Sequence, residues 1–126
     1  MKTNNAYSIV GGSIWGNRGA EAMLVTTIGE IRKFNPETSF HVYSIYPKKD
    51  KKLINDLKVN ILDGRPLAFG LLYFPLALIY YFLKKININL PLPKSLKKLK
   101  DSQCLLDIGG ITFSDGRSLQ LLYNSF

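Results

Sequence analysis

The fold of this chain is decided by a glycine-rich stretch near its start, Gly12-Ser13-Ile14-Trp15-Gly16-Asn17-Arg18-Gly19-Ala20-Glu21-Ala22. An apolar run at residues 7–10 precedes it and predicts a short buried strand. Apolar residues spaced three and four apart follow it and predict a helix that ends at Asn35-Pro36. A glycine-rich turn between a strand and a helix lets a ligand approach the backbone, and the helix N-terminus supplies N–H groups and the positive end of a dipole. Phosphate, carboxylate and sugar hydroxyls all fit such a place, and the alternative is a structural turn in which Asn17 caps the helix.

This loop matches neither of two common nucleotide-binding motifs. Its glycines are not spaced as in G-x-G-x-x-G, and the second predicted strand runs into Tyr46-Pro47-Lys48 without an acidic residue for a ribose. The lysine and hydroxyl pair of a P-loop is also missing. The sequence therefore predicts a ligand-binding loop without identifying a nucleotide.

Strands and helices alternate beyond this loop. Residues 39–46 are rich in β-branched and aromatic side chains and predict a second strand, residues 51–58 predict a short helix, and residues 59–62 predict a third strand. Residues 103–108 predict a further buried strand. This alternation is typical of a Rossmann-like α/β fold with a parallel sheet and right-handed crossovers, in which the usual strand order is 3-2-1-4.

A second glycine motif follows the last predicted strand and reads Asp107-Ile108-Gly109-Gly110-Ile111-Thr112-Phe113-Ser114-Asp115-Gly116-Arg117. In the order 3-2-1-4 the first and fourth strands are neighbours, so both glycine motifs would flank the topological switch point of the sheet. Ligands bind at that point in open α/β sheets. We therefore expect the two loops to share one crevice.

The two motifs resemble those of polysaccharide pyruvyl transferase-like proteins. Residues 17–22 are similar to the family's N-x-G-[AD]-E-A start, and residues 107–115 are similar to its later D-x-G-G-x-x-F-x-D stretch. Many relatives carry Asp where this chain has Ala20, so any role of that carboxylate is absent here. The resemblance covers the two ends of the chain and leaves the middle unassigned.

The resemblance implies a glycosyltransferase-like architecture of the GT-B type, in which residues 1–126 form an incomplete N-terminal Rossmann-type domain. It also implies transfer of a pyruvyl group from phosphoenolpyruvate to a sugar of a cell-surface polysaccharide, without a cofactor, and no activity of this chain by itself. Carboxylates are available at Glu21, Asp107 and Asp115, and anion partners at Arg18 and Arg117. We leave the catalytic residues unassigned and expect eight substrate-binding residues: Asn17, Arg18, Gly19, Glu21, Gly109, Gly110, Ser114 and Asp115.

An apolar insertion separates the third and fourth predicted strands, at about residues 67–86. Every residue from 67 to 83 is apolar or aromatic apart from Gly70 and Pro75. Three placements fit such a helix: against the sheet or a partner, in the plane of a membrane surface, or across a bilayer. A single crossing would separate two strands of one sheet, so we expect a helix with an exposed apolar face, kinked or broken at Pro75.

The net charge and the positions of the lysines indicate which class of partner this chain binds. The 126 residues carry a net charge of +8, and lysines cluster at 48–52 and again at 84–100, directly after the apolar run. That arrangement favours peripheral contact with an anionic membrane, and no nucleic-acid reader motif or metal-ligand spacing accompanies it. The single cysteine and the polar start of the chain indicate a cytoplasmic protein at the inner face of the membrane. Two rival interpretations stay open, namely a non-catalytic membrane- or partner-binding module and a nucleotide-sugar glycosyltransferase-like fragment.

Overall fold

The computed structural model describes residues 5–55, 58–88 and 91–109. Within them lies one four-stranded sheet with helices on both faces. The strands are β1 (Ala6–Val10), β2 (Ser39–Ser44), β3 (Val59–Asp63) and β4 (Cys104–Asp107). The helices are α1 (Arg18–Phe34), α2 (Pro47–Leu53), α3 (Phe74–Lys85) and α4 (Lys94–Lys100), with a π-helical turn at Ala68–Tyr73 that runs directly into α3.

All strand pairs are parallel, and the order is β3-β2-β1-β4. In the register, Ile9 of β1 lies between Val42 of β2 and Leu106 of β4, and Val42 in turn pairs with Ile61 of β3. The predicted α/β class, the parallel sheet and the strand order are confirmed. The order reverses between β1 and β4, so the switch point lies where both glycine motifs begin.

One face of the sheet packs against α1. Its fully buried core consists of Ile9, Leu24, Phe40 and Val42. Leu24 comes from the helix and the other three come from alternate positions on β1 and β2, because successive strand residues point to opposite faces. Of the helix face predicted by the periodicity, Ala20, Leu24, Ile28 and Ile31 pack inward, whereas Phe34 at the helix end is wrong because 89% of its surface is exposed.

The other face packs against α4 and the π-helical turn. Tyr43 is the centre of this second core and contacts Tyr73 and Leu96. Its hydroxyl donates to the Ser95 carbonyl at 2.6 Å, and burial raises the pKa of Tyr43 to about 12. The doubly wound topology thus gives the sheet two separate cores.

Two helix boundaries differ from the expectation. The helix predicted at 51–58 is wrong in its bounds, because α2 begins at Pro47 and ends at Leu53. Proline is well suited to the first helical turn, where no N–H is needed. The helix does not break at Pro75 but runs continuously over Ala68–Lys85, and the kink stays a prediction. Its type changes from π to α just before the proline, where the N–H of Phe74 donates to the carbonyl of Phe69, five residues back. The wider π turn directly precedes the proline and joins continuously to α3.

The fourth strand is more exposed than expected. Three of the four residues of β4 are exposed, and Leu105 keeps 54% of its surface open to solvent. Within the described ranges β4 pairs only with β1, so its outer side has no covering strand there. The apolar composition of residues 103–108 correctly predicted a strand but overestimated its burial.

Candidate functional site

The two glycine motifs begin in direct contact at the carboxyl edge of the sheet. The N–H of Ile108 donates to the carbonyl of Val10 at 3.1 Å, which continues the β1–β4 ladder beyond the strands. Gly11 has a φ of +75°, and a Cβ atom added to it would lie 2.6 Å from the Cα atom of Gly109. Only glycine combines this backbone conformation with so close an approach. The sheet therefore brings the starts of both motifs together.

Asn17 caps α1. Its side-chain oxygen accepts a hydrogen bond from the N–H of Ala20 at 3.1 Å, and its carbonyl accepts one from the N–H of Glu21 at 3.0 Å. The predicted capping role of Asn17 is confirmed, because its side-chain oxygen accepts a hydrogen bond within the first turn of the helix. The cap does not use the side-chain amide nitrogen of Asn17, which carries two N–H donors.

Arg18 and Gly19 form the first turn of α1, and both are exposed. Their N–H groups precede the first intrahelical hydrogen bonds, so the helix itself supplies them with no partner. A Cβ atom at Gly19 would meet only the side-chain oxygen of Asn17, at an ordinary 3.4 Å. The fold therefore does not require glycine at this position, whereas a ligand seated on the helix N-terminus would benefit from the open backbone.

The two described carboxylates of the glycine motifs are placed differently. Glu21 is half-buried in the first turn of α1, where the helix dipole favours a negative charge. Asp107 is exposed at the end of β4 and accepts a hydrogen bond from the N–H of Gly109 at 2.8 Å. Asp107 thus supports the turn of the second motif.

A buried carboxylate that the sequence analysis did not single out holds the first loop in place. Asp50 is fully buried in the first turn of α2. One of its oxygens accepts from the N–H of Trp15 at 2.7 Å and lies 3.5 Å from the Ser13 hydroxyl, and the other accepts from the Ser44 hydroxyl at 2.6 Å. Asp50 is therefore a positioning residue that ties the loop to β2. The sequence feature that could have indicated this role is the position of Asp50 as the single acidic residue within the lysine cluster at 48–52.

Trp15 packs against its own chain. Its ring meets that of Tyr46 edge to face, with centroids 4.9 Å apart, and the Lys49 ammonium lies 3.1 Å from the ring centroid. These contacts use the aromatic face that would stack on a sugar. Trp15 therefore packs against the start of α2, and 40% of its surface stays exposed.

The eight predicted site residues fall into three groups. Asn17, Arg18, Gly19 and Glu21 lie together at the start of α1, and Gly109 lies against Gly11 at the switch point. The other three lie outside the described residues: Gly110, Ser114 and Asp115. An open groove of about 800 Å³ with mostly apolar walls lies between α1 and β4. Asp107 and Ile108 of the second motif line it, whereas the four predicted residues at the start of α1 do not.

No group of metal-ligating side chains occurs within 5–55, 58–88 and 91–109. Of the groups with a shifted pKa, His41 and Tyr43 belong to the opposite face of the sheet, beneath α4. Burial, reinforced by the nearby Lys98, lowers the pKa of His41. These two residues serve the second core rather than the crevice.

No family model, curated protein or solved structure matches this chain.

Proposed function

We propose that the crevice binds phosphoenolpyruvate and that the chain contributes to transfer of its pyruvyl group to a sugar of a cell-surface polysaccharide. The proposal rests on the resemblance of the two motifs. The supporting observation is the contact of Gly11 with Gly109, which unites the starts of both motifs at the switch point of a parallel sheet.

The chemistry of the substrate suits the start of α1. Phosphoenolpyruvate carries a phosphate and a carboxylate, and a helix N-terminus next to an arginine attracts both groups. In this proposal the N–H groups of Arg18 and Gly19 and the Arg18 guanidinium hold the phosphate. The Asn17 amide assists them.

The reaction balances without a cofactor. A proton is added to the methylene carbon of phosphoenolpyruvate, which becomes a methyl group. Two sugar hydroxyl oxygens bond to the neighbouring carbon, and the carbon–oxygen bond to phosphate breaks. The two hydroxyl protons are accounted for by the new methyl group and the released phosphate. An acid, a base and cations must therefore surround the transferred group. Glu21 is the described carboxylate on α1 nearest in sequence to the proposed phosphate contacts.

Binding can be tested without turnover by amide NMR. Titration with phosphoenolpyruvate is expected to shift the resonances of Arg18, Gly19 and Gly109. Arg18→Ala should weaken binding by about 10- to 150-fold, because a charge-assisted hydrogen bond contributes roughly 1.5–3 kcal/mol. Lys33→Ala is the matched control, since it removes one positive charge from the exposed far end of the same helix.

The competing ligands decide between the proposal and its rivals. Inorganic phosphate and pyruvate should bind more weakly than phosphoenolpyruvate, because each carries only part of its charge. Preference for a nucleotide-sugar would favour the glycosyltransferase alternative. Equal weakening by Arg18→Ala and Lys33→Ala, or no shift at α1 and Gly109 with any of these ligands, would contradict the proposal.

A further inference from the structure

The segment 64–100 carries most of the excess positive charge. It contains seven of the seventeen Lys and Arg residues and none of the nine Asp and Glu residues. The whole chain has a net charge of +8, so the remaining sequence is nearly neutral. This concentration of charge coincides with the most apolar helix of the molecule.

That helix exposes large apolar side chains along one face. Phe74, Leu78 and Phe82 recur every four residues, and they keep 60%, 44% and 63% of their surface exposed. Lys85 continues the same face at the helix end. The continuous helix Ala68–Lys85 has the length and composition of a membrane-crossing helix, yet only 6% of it is buried in the protein.

The opposite side of the helix is attached to the sheet. Phe69, Tyr73 and Leu76 pack in the core around Tyr43. The segment is also tied down before the helix, where the N–H of Gly64 donates to the Ser44 carbonyl at 2.8 Å. The first part of the helix is held in this way, whereas α3 itself has no fully buried residue. A crossing perpendicular to a bilayer would have to break the contacts of Phe69, Tyr73 and Leu76.

The lysines of α4 lie beside this helix. Lys94, Lys97 and Lys100 are exposed and spaced three apart, so they share one side of α4. The Lys100 ammonium donates to the Tyr80 hydroxyl at 2.7 Å, which fixes the end of this row next to α3. Tyr80 lies two residues from both Leu78 and Phe82, so the basic row flanks the inner side of the helix and not its apolar face. The lysine that extends the apolar face itself is Lys85, with Lys84 beside it.

We propose that the apolar face of this helix, with Lys84 and Lys85 at its end, docks in the plane of an anionic membrane. Phe74, Leu78 and Phe82 enter the boundary between headgroups and acyl chains, while the lysines contact lipid phosphates. An in-plane helix binds through buried apolar area together with attraction to anionic lipids, and long lysine side chains reach the headgroups from an apolar helix. Charge complementarity selects the occupant, because the seven basic side chains of residues 64–100 outweigh the neighbouring acid, Asp101 at the end of α4, and match an anionic bilayer.

Flotation with lipid vesicles tests the proposal. The chain should bind vesicles of equal parts phosphatidylcholine and phosphatidylglycerol, bind pure phosphatidylcholine much less, and be released by high salt. The double variant Lys84→Glu with Lys85→Glu should lower the partition coefficient about tenfold or more, since each lysine near such a surface contributes about a factor of five. Lys51→Glu with Lys52→Glu is the matched control, because it makes the same charge change on α2.

The apolar half of the surface has its own variant. Leu78→Ser with Phe82→Ser should abolish flotation at low salt while circular dichroism shows an unchanged fold, because both side chains are exposed. The proposal would be overturned if the chain binds neutral and anionic vesicles equally. It would also be overturned if the two double lysine variants lose the same amount of vesicle binding. The proposal would also be overturned if the parent chain does not bind vesicles but self-associates in sedimentation equilibrium, and if the serine variant removes that self-association. Resistance to alkaline carbonate extraction would instead indicate a spanning helix.

Discussion

Asp50 holds the first loop in place through its buried carboxylate. Its carboxylate is fully buried and accepts hydrogen bonds from the Trp15 N–H and the Ser44 hydroxyl. Both donors come from other elements, so the carboxylate links the first loop, β2 and α2. Its position in the first turn of α2 also matches the favourable end of the helix dipole.

Replacement of this carboxylate should loosen the loop. Asp50→Ala is expected to lower the free energy of unfolding by roughly 2–4 kcal/mol, because the buried donors at Trp15 and Ser44 lose their acceptor. Urea denaturation measures this loss. Trp15 is the only tryptophan in the chain, so its fluorescence maximum should also shift as the loop is released.

Asp63→Ala is the control for that prediction. Asp63 pairs with Arg65 at 2.6 Å on the surface, and this pairing lowers the pKa of Asp63. An exposed ion pair contributes less than about 1 kcal/mol. An equal loss of stability in the two variants would show that burial of Asp50 is not what matters.

At the scale of elements, the junction of β1 with β4 depends on the space left by a missing side chain. Gly11→Ala is expected to cost at least about 1–2 kcal/mol from its left-handed backbone alone, and the approach of Gly109 at 2.6 Å should increase the loss. Gly29→Ala should instead stabilise the chain by about 0.5–1 kcal/mol, since Gly29 lies within α1 with open space around it. Thermal or urea unfolding compares the two. Similar stability of both variants would contradict the close contact.

The apolar helix illustrates which part of an element its own sequence determines. Its length and hydrophobicity are local properties, and the predicted range of about 67–86 matches the observed helix Ala68–Lys85. The side of the helix that packs on the sheet could not be predicted from the sequence, because nearly every side chain from 67 to 83 is apolar and no polar face marks the outside. Only the contacts with Tyr43 separate Phe69, Tyr73 and Leu76 from the exposed residues.

At the scale of the whole molecule, a buried histidine links stability to pH. His41 is the only histidine, and its buried Nδ1 atom has no hydrogen-bond partner within the described part of the chain. Burial, and secondly the charge of Lys98, lower the pKa of His41 from its ordinary value of 6.5. The folded state therefore favours the neutral ring, whereas the unfolded chain takes up a proton near pH 6.5.

The free energy of unfolding should accordingly be highest above pH 6.5 and fall as the pH drops from 6.5 towards the lowered pKa of His41. Urea titrations across this range measure the slope, and carboxylates contribute mainly at lower pH. His41→Gln should remove most of the slope. Lys98→Gln should reduce it, since it removes one cause of the shift. An unchanged slope in His41→Gln would show that another group is responsible.

The sequence by itself determined the α/β class, the parallel strand order, the start and cap of α1, and the convergence of two glycine motifs. The helix and its cap follow from local periodicity and turn chemistry. The strand order and the meeting of the motifs follow from the general rules for crossovers in parallel sheets, which hold for many different side chains. Only the tertiary structure decided that Asp50 holds the first loop, that Lys49 and Tyr46 cover Trp15, and that β4 is exposed. Each of these depends on which groups from distant elements meet, and the spacing of residues along a chain does not encode that.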